Sequence, residues 1–365
     1  MRKPSEQDRP VAARPKGRGA TSNSQSRFDH WTRVAETDGW GAEEAESELP
    51  RLATRLTLQA ARSILTSNES PDVPFDRSIN PYRGCEHGCI YCYARPSHAT
   101  LGLSPGLDFE SRLFAKTNAP ELLQAEFRRP GYVCQPVALG VNTDAYQPVE
   151  RRLALTRRIL DVLRDCGHPV TIITKSALVL RDLDLLRPMA AAGLARVDIS
   201  ITTLDHDLAR HLEPRASSPA RRLEVISALR SAGIPCGVMV APVIPFLTDA
   251  QLESTLEAAS AAGATIAGYV LLRLPLEVFG LFEDWLRTHH PLKADHVLAR
   301  LRGMRGGRNN DPAFGSRMRG QGVMADLLAQ RFEKASRRLG LSRRGKALDT
   351  TRFRPPPPPG QSSLF

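Results

Sequence analysis

Three cysteines within a span of eight residues, Cys85, Cys89 and Cys92, are the side chains of this sequence best suited to chemistry. Their spacing is C-x3-C-x2-C. Thiolates held this close together repel one another, so a soft metal ion is the usual reason for such a cluster. Three ligands are one fewer than a structural zinc ion or a fully protein-ligated [4Fe–4S] cluster takes. The pattern therefore predicts a metal site with one position open to an outside molecule.

Two other interpretations of the three cysteines are open. Spacings of four and three residues would also place them on one face of a helix, as small buried side chains. Glycines at Gly84 and Gly88 favour a loop over that helix. The second alternative is a zinc ion, with His87 or His98 as its fourth ligand.

The sequence around the cysteines resembles the radical S-adenosylmethionine (SAM) superfamily. The resemblance rests on the cysteine spacing, on Tyr91 directly before the last cysteine, and on the wider text NPYRGCEHGCIYCYARPSH. That text is similar to a bacterial group related to spore photoproduct lyase-like proteins, and the similarity extends from about residue 76 to the C-terminus. It implies that Cys85, Cys89 and Cys92 hold three irons of a [4Fe–4S] cluster and that SAM chelates the fourth. An electron from a donor would then cleave SAM to a 5′-deoxyadenosyl radical.

Length and composition permit one large α/β domain with appendages, or two domains. The chain has 365 residues, of which 41% are hydrophobic. It contains no run of 18 apolar residues and no apolar signal-peptide region, so neither a membrane span nor a secretory leader is expected. The other cysteines, Cys134, Cys166 and Cys236, are scattered and do not predict a disulfide framework. A reducing cytoplasm is the expected location, and it would protect an iron–sulfur cluster.

Strand and helix patterns alternate along the chain at intervals of about 30 residues, which predicts βαβ units and a parallel sheet. The predicted strands are Val137–Val141, Val170–Thr174, Ala195–Ile201, Cys236–Val240 and Ile266–Leu272. The predicted helices are Val149–Cys166, Leu178–Ala191, Arg221–Ala232, Asp249–Ala262 and Leu276–Arg287. A further strand just before Cys85 brings the strand count to six. Six matches the partial (βα)6 TIM-like barrel of radical SAM enzymes, and this is the fold we predict.

The composition also suggests how the chain is divided. Residues 1–26 are rich in Arg, Pro, Gly, Ser and Gln, and we expect them to form a disordered tail. Residues 27–74 are expected to be an N-terminal extension with a helical pattern at Leu52–Ile64. The radical SAM core is predicted over residues 75–290 and a basic, partly helical extension over 291–354. Residues 355–365 would form a Pro-rich spacer and a terminal peptide.

Polar residues that follow the strands are the first candidates for binding SAM, because parallel barrels bind ligands at the carboxyl ends of their strands. The resemblance implies that Thr143 and Asp144 hydrogen-bond the SAM amino group, although the common Gly-Gly-Glu form is absent. It also implies that Lys175 and Ser200 contact the SAM carboxylate, whose charge a cation would offset. An Asx turn at residues 142–148 and a surface salt bridge for Lys175 are the plain alternatives.

Further candidates come from the same resemblance. Glu213, in an E-P-x-x-S-S stretch, is expected to touch SAM, and Tyr91 is expected to face the adenine. Cys134 is a weak candidate for a hydrogen donor to a substrate radical, with a structural cysteine as the alternative. Three tyrosines could relay radicals or simply pack: Tyr82, Tyr93 and Tyr146.

The positive charge of the chain is concentrated near its C-terminus. The segment Arg300–Arg354 has thirteen Arg and two Lys against four acidic residues, and this surplus of eleven equals the net charge of the whole chain. Such a segment predicts contact with nucleic acid or another polyanion, unless it is a solvated helix face. The terminal peptide Gln361–Phe365 resembles the Q-L-S/D-L-F peptide that docks on the bacterial sliding clamp, with Ser362 where Leu is usual.

Two functions of different classes therefore fit the sequence. The first is a radical SAM enzyme that acts on an unknown substrate, with DNA as a candidate. The second is a non-catalytic iron–sulfur accessory protein that binds nucleic acid and docks on the sliding clamp. Release of 5′-deoxyadenosine from SAM would distinguish them.

Overall fold

Seven strands form the main sheet of this computed structural model, which describes residues 16–29 and 52–358. The order of the strands in the sheet is β10-β9-β8-β7-β6-β3-β2. All neighbours are parallel except β2 and β3, which are antiparallel. The strands are β2 (Leu65–Ser67), β3 (Arg77–Ile79), β6 (Val137–Leu139), β7 (Val170–Thr174), β8 (Ala195–Ser200), β9 (Cys236–Val243) and β10 (Ile266–Leu271). The predicted parallel sheet of six strands is thus confirmed, with β2 as an added edge.

Helices follow the parallel strands as the alternation predicts. They are α1 (Leu107–Ser111), α2 (Ala119–Phe127), α3 (Glu150–Leu153), α4 (Leu155–Asp165), α5 (Leu183–Ala191), α6 (His206–Leu212), α7 (Pro219–Ser231), α8 (Leu252–Ala261), α9 (Val278–His289), α10 (Pro291–Gly303) and α11 (Val323–Arg338). The helix predicted over Val149–Cys166 is divided, because Ala154 has a φ of 49° that an α-helix cannot contain. No helix in the described ranges is long and apolar enough to cross a bilayer.

The parallel strands are apolar on both faces, which is why they are covered by helices outside and by their own side chains inside. In β7 the residues Val170, Ile172 and Thr174 are buried, and their neighbours in the strand are only partly exposed. The carboxyl ends of the six parallel strands lie on one edge, which we call the mouth (residues 79, 139, 174, 200, 243 and 271). Contacts between segments after β3 and after β10, near the two ends of the strand order, show that the sheet curves into an open barrel.

A second, three-stranded sheet lies beside the barrel and corrects one prediction. Its order is β1 (Arg55–Gln59), β5 (Arg112–Lys116) and β4 (Tyr82–Arg83). The helix expected at Leu52–Ile64 was wrong, because this segment contains β1, which pairs in parallel with β5. Tertiary pairing overrides the local helical pattern here.

Residues 16–26 correct a second prediction, since they were expected to belong to a disordered tail. Ala20 is only 2% exposed, and Arg18 and Ser26 are also buried. The Arg18 guanidinium donates to the backbone oxygens of Glu110 and Leu52. These polar contacts fix a segment whose composition alone could not drive folding. Residues 1–15, the rest of the expected tail, lie outside the described ranges.

The last described residues cover the amino ends of the strands, opposite the mouth. Asp349 N donates to Gly193 O, and Arg354 N donates to Cys166 O. Phe353 packs into an aromatic cluster with Phe127, Tyr132 and His168. We call this C-terminal segment, residues 345–358, the clasp.

His168 lies at the centre of that cluster as a neutral ring. Its ring stacks on Phe127 with a centroid distance of 4.6 Å. Its Nδ1 lies 3.0 Å from the Pro169 oxygen and its Nε2 lies 2.8 Å from the Tyr132 hydroxyl, which fits a ring that donates at one nitrogen and accepts at the other. Burial lowers the pKa of His168 to about 4. Protonation of this ring is therefore opposed by the fold.

We predict that His168 makes the protein less stable as the pH falls from 6.5 to 4. In that window the unfolded chain binds a proton at this residue and the folded chain does not, so the free energy of unfolding should fall by about 3 kcal/mol. Urea unfolding at a series of pH values measures the slope. His168→Gln should remove this part of the slope, whereas His206→Gln, at an exposed position, should keep it. Equal slopes for the two variants would contradict the prediction.

Candidate active site

The three cysteines lie on a series of turns at the mouth, residues 84–93, which we call the cysteine turn. Cys85 N donates to Phe109 O at 3.0 Å, and Cys92 N donates to Cys89 O at 3.1 Å. Gly88 has a φ of 68°, and a Cβ added there would lie 2.7 Å from a carboxylate oxygen of Glu110. The helical alternative for the three cysteines is therefore wrong, and the loop that the glycines favoured is the structure observed.

Arg95 holds the cysteine turn from beneath, and sequence reasoning missed it. The side chain is completely buried. Its guanidinium donates to four backbone oxygens, those of Gly88, Cys89, Pro105 and Gly106. It also forms a buried salt bridge with Glu110. The only signal in the sequence was a basic residue three positions after Cys92.

Glu110 connects the same bridge to the N-terminal segment. Its two carboxylate oxygens accept from Gly19 N at 2.9 Å and from Ala20 N at 2.8 Å. A Cβ added to Gly19 would overlap the Gly88 carbonyl oxygen at 1.8 Å, so the two chain segments are in direct contact. Residues 18–20 therefore form one wall of the cysteine turn.

The three thiols have the chemistry of a buried metal-binding set. Burial raises the pKa of Cys89 to about 12 and also raises the pKa of Cys85 and Cys92. Thiolates in such surroundings need a cation bound to them. The Asp144 backbone N–H lowers the pKa of Cys85 slightly, as a hydrogen bond to a thiolate does. These residues fit a cluster that takes one thiolate at each of three irons.

A single zinc ion does not fit as well. Within residues 16–29 and 52–358, no three His, Cys, Asp or Glu side chains are arranged around one metal ion. His87 Nδ1 lies 3.3 Å from a carboxylate oxygen of Asp144. His98 Nε2 is hydrogen-bonded to the Arg112 backbone oxygen. Each of the two histidines considered as a fourth zinc ligand thus has a partner at one ring nitrogen, and the buried Nδ1 of His98 has none in the described ranges.

Asp144 organises the loop after β6. Its oxygens accept from Thr174 Oγ1 at 2.7 Å and from Lys175 N at 2.8 Å. Burial alone would raise the pKa of Asp144, but His87 and these donors lower it to about 2. Thr143 donates through its hydroxyl to Tyr82 O at 3.0 Å and is 2% exposed. Both side chains therefore brace the mouth, and the Asx turn is present because Tyr146 N also donates to Asp144.

Lys175 and Ser200 keep polar groups uncommitted at the mouth. The Lys175 ammonium lies 5.9 Å from the centroid of the Tyr91 ring. Burial opposes its charge, but Cys89 and Glu213 raise the pKa of Lys175 above its ordinary value. Neither the Lys175 ammonium nor the Ser200 hydroxyl forms a hydrogen bond with the part of the chain that is described. The surface salt bridge considered for Lys175 is therefore not observed there.

Glu213 is fully engaged beneath Tyr91. Its carboxylate accepts from the Tyr91 hydroxyl, from Thr202 Oγ1 and from the Arg222 guanidinium. Burial alone would raise the pKa of Glu213, but Arg222 and Lys175 lower it to about 2. Glu213 thus holds the side chains of Tyr91, Thr202 and Arg222 together. Arg222 is a second buried cation that sequence reasoning missed.

The remaining candidates are divided between the two ends of the barrel. Cys134 lies near Arg77, at the amino ends of β3 and β6, so the structure argues against a hydrogen-donor role at the mouth. Tyr82 donates to Glu150, and Tyr146 is completely buried. Tyr93 is 48% exposed at the mouth. Of the three tyrosines, only Tyr93 is accessible to a substrate.

Comparison with known proteins gives a family for the region that holds these groups. Residues 79–259 match the Radical SAM superfamily, which confirms the resemblance. An uncharacterized protein of Mycobacterium tuberculosis strain H37Rv is 42% identical over 224 residues, which are 60% of this chain and 65% of that protein. An uncharacterized protein of Methanocaldococcus jannaschii is 31% identical over 173 residues, 47% of this chain and 62% of that protein. The chain thus spans less than two thirds of the length of either relative.

Solved structures support the fold. A mutant spore photoproduct lyase with bound AdoMet and dinucleoside spore photoproduct superposes with a TM-score of 0.57 at 17% identity, over 79% of this chain and 81% of that one. Spore photoproduct lyase complexed with dinucleoside spore photoproduct superposes with a TM-score of 0.54 at the same identity and coverage. At this identity the likeness establishes a shared fold, and it confirms the partial barrel.

We predict that Glu110→Gln destabilises the protein and loosens the cysteine turn. The substitution leaves the buried Arg95 charge uncompensated, which costs roughly 3–5 kcal/mol in the free energy of unfolding. Urea unfolding measures the loss, and iron content after reconstitution should fall with it. The matched control is Glu224→Gln, which breaks an exposed ion pair with Arg221 and should cost less than about 1 kcal/mol. Similar losses for both variants would contradict a special role for the buried pair.

Proposed function

Residues 79–259 form a radical SAM domain, and on that premise we propose that the chain is a radical SAM enzyme that starts radical chemistry on a substrate bound at the mouth. The single observation that carries the proposal is the placement of three thiols on one turn, with Cys85 and Cys89 buried and Cys92 partly buried, beside the Lys175 ammonium, which has no carboxylate of the described chain within salt-bridge distance. When bound, the [4Fe–4S] cluster and SAM supply a 5′-deoxyadenosyl radical by reductive cleavage of SAM.

Each group of the chain has a definite task in this proposal. Cys85, Cys89 and Cys92 hold the cluster. Lys175 offsets the charge of the SAM carboxylate, and the free Ser200 hydroxyl lies at the end of the next strand to assist it.

Three residues that were expected to contact SAM directly act here mainly by holding neighbouring groups of the mouth in place: Thr143, Asp144 and Glu213. Asp144 orients the backbone at Lys175 by accepting from its N–H. Glu213 fixes the Tyr91 hydroxyl, so the ring of Tyr91 is held as a wall of the SAM site.

DNA is the substrate class that we propose, and the arginines near the mouth support it. The basic segment is divided by the fold. Residues 303–322 lie against the end of β10, where Arg308 and Arg319 are exposed, whereas the clasp lies at the amino ends. Other arginines of the segment are paired internally, as Arg331 is with Glu253 and Arg338 is with Glu257. Only the first part can reach a substrate at the mouth, where phosphates would be its natural ligands.

We further propose that the enzyme works in the cytoplasm with a cellular electron donor. Six unpaired cysteines are present, three of which must remain reduced to bind iron. A reducing compartment favours that state.

The test is release of 5′-deoxyadenosine by anaerobically reconstituted protein supplied with dithionite and SAM. Cys89→Ala should reduce release to background and remove the cluster absorbance, because the thiolate is a cluster ligand. Cys166→Ala, which removes a buried cysteine at the amino end of β7, should retain both. Retained cleavage by Cys89→Ala would refute the ligand assignment. A fully clustered wild type that binds DNA but releases no 5′-deoxyadenosine would favour the accessory-protein alternative.

We also propose that the terminal peptide Gln361–Phe365, outside the described ranges, docks on the DNA polymerase sliding clamp. Its two apolar residues, Leu364 and Phe365, match the anchors of such peptides. Replacing both by alanine should lower clamp binding more than tenfold, measured by surface plasmon resonance with immobilised clamp. Ser362→Ala, at the position where this peptide already departs from the motif, is the matched control and should bind as the wild type does. Equal binding by all three proteins would end this proposal.

A further inference from the structure

Arg273 is a cation at the mouth that forms no salt bridge with a carboxylate of the described ranges. It follows β10 by two residues, and its NH1 group donates to the sulfur of Met318 at 3.6 Å, a weak acceptor. Its Nε is buried and has no hydrogen-bond partner in the described ranges. Its NH2 group forms no hydrogen bond there either. Buried donors of charged groups are rarely left unpaired, because the lost hydration is not recovered.

The neighbouring arginines are satisfied, so Arg273 stands apart from them. Arg317 forms a salt bridge with Asp72. Arg305 donates to the backbone oxygens of Leu272 and Arg317 at 2.7 Å each. Burial and the nearby Arg317 charge lower the pKa of Arg273, while Tyr93 and Asp72 act in the opposite direction. Because Asp72 is paired with Arg317, the Nε of Arg273 is left without an acceptor in the described ranges.

The position of Arg273 relates it to the substrate rather than to SAM. Its guanidinium carbon lies 5.8 Å from the centroid of the Tyr93 ring, and Tyr93 directly follows Cys92. Lys175 lies after β7, three strands away from β10 in the sheet order. SAM has one carboxylate, and Lys175 suffices to neutralise it. A second unpaired cation at the same mouth then has no partner in SAM.

We propose that Arg273 binds an oxyanion of the substrate, a phosphate or a carboxylate, through its Nε–NH2 edge. This edge presents two parallel N–H donors, which match two oxygens of such an anion. The inference rests on the proposed function, because it requires a substrate at the mouth. It adds that the substrate is anionic close to its point of reaction. The exposed arginines of residues 303–322 favour phosphate over carboxylate.

The test follows the Arg273 Nε–H signal by NMR in arginine-labelled, cluster-loaded protein saturated with SAM. Loss of the signal in Arg273→Lys assigns it. Titration with inorganic phosphate at constant ionic strength should shift the signal saturably. Acetate is the second arm: a shift with phosphate indicates a phosphate-bearing substrate, and a shift with acetate alone indicates a carboxylate. No saturable shift with either anion would overturn the proposal.

A second measurement uses a fluorescein-labelled single-stranded hexanucleotide and reads anisotropy. Arg273→Gln should weaken binding about tenfold, because a bidentate charged contact is lost. Arg337→Gln removes the same charge from an exposed position at the amino-end side and should stay within about twofold. Equal losses for the two variants, or weakened SAM binding instead of weakened oligonucleotide binding in Arg273→Gln, would contradict a substrate role.

These readouts are separate from catalysis. If the wild type released no 5′-deoxyadenosine, the proposed function would fail while the NMR titration still decided whether Arg273 binds an oxyanion.

Discussion

The structure depends most on how the buried backbone of the cysteine turn is satisfied. A turn without regular secondary structure leaves carbonyl oxygens that must find donors inside the protein. Arg95 donates to two carbonyls of the turn, those of Gly88 and Cys89, and to those of Pro105 and Gly106 beside it, and Glu110 compensates its charge. Because Glu110 also accepts from Gly19 and Ala20, one ion pair joins the cysteine turn, α1 and the N-terminal segment. The pair thus holds the middle of the turn, at Gly88 and Cys89, in place.

The buried cations near the mouth differ in whether a carboxylate of the protein neutralises their charge. Arg222 is matched by Glu213, and Arg95 by Glu110. Lys175 and Arg273 lie at the mouth, and neither has a carboxylate of the described chain within salt-bridge distance. A protein gains nothing in stability from burying a charge it cannot pair. The absence of a paired carboxylate at these two cations is what supports the binding roles proposed for them.

Much of this could be predicted from sequence, because apolar periodicity is a local property. β7 was predicted with the bounds that it has, Val170–Thr174. Long-range pairing could not be seen: β1 is a strand only because β5 lies beside it, and residues 18–20 are fixed only because Glu110 reaches them. The bracing role of Glu213 was hidden for the same reason, since Arg222 and Tyr91 approach it from different elements. The position of Cys134 could not be predicted from the sequence either, because the end of the barrel at which a residue lies depends on the path of the whole chain.

The clasp has a consequence for how the protein can be held by others. Its backbone bonds to Gly193 and Cys166 anchor the chain at the amino ends of the strands, and Arg128 donates to Pro357 O near its last described residue. Whatever follows Pro358 starts from the pole opposite the cysteine turn. A macromolecule that bound this tail would hold the protein at the amino ends of the strands and would leave the mouth accessible. Binding of a partner after Pro358, as proposed for the terminal peptide, would therefore take place away from the cysteine turn.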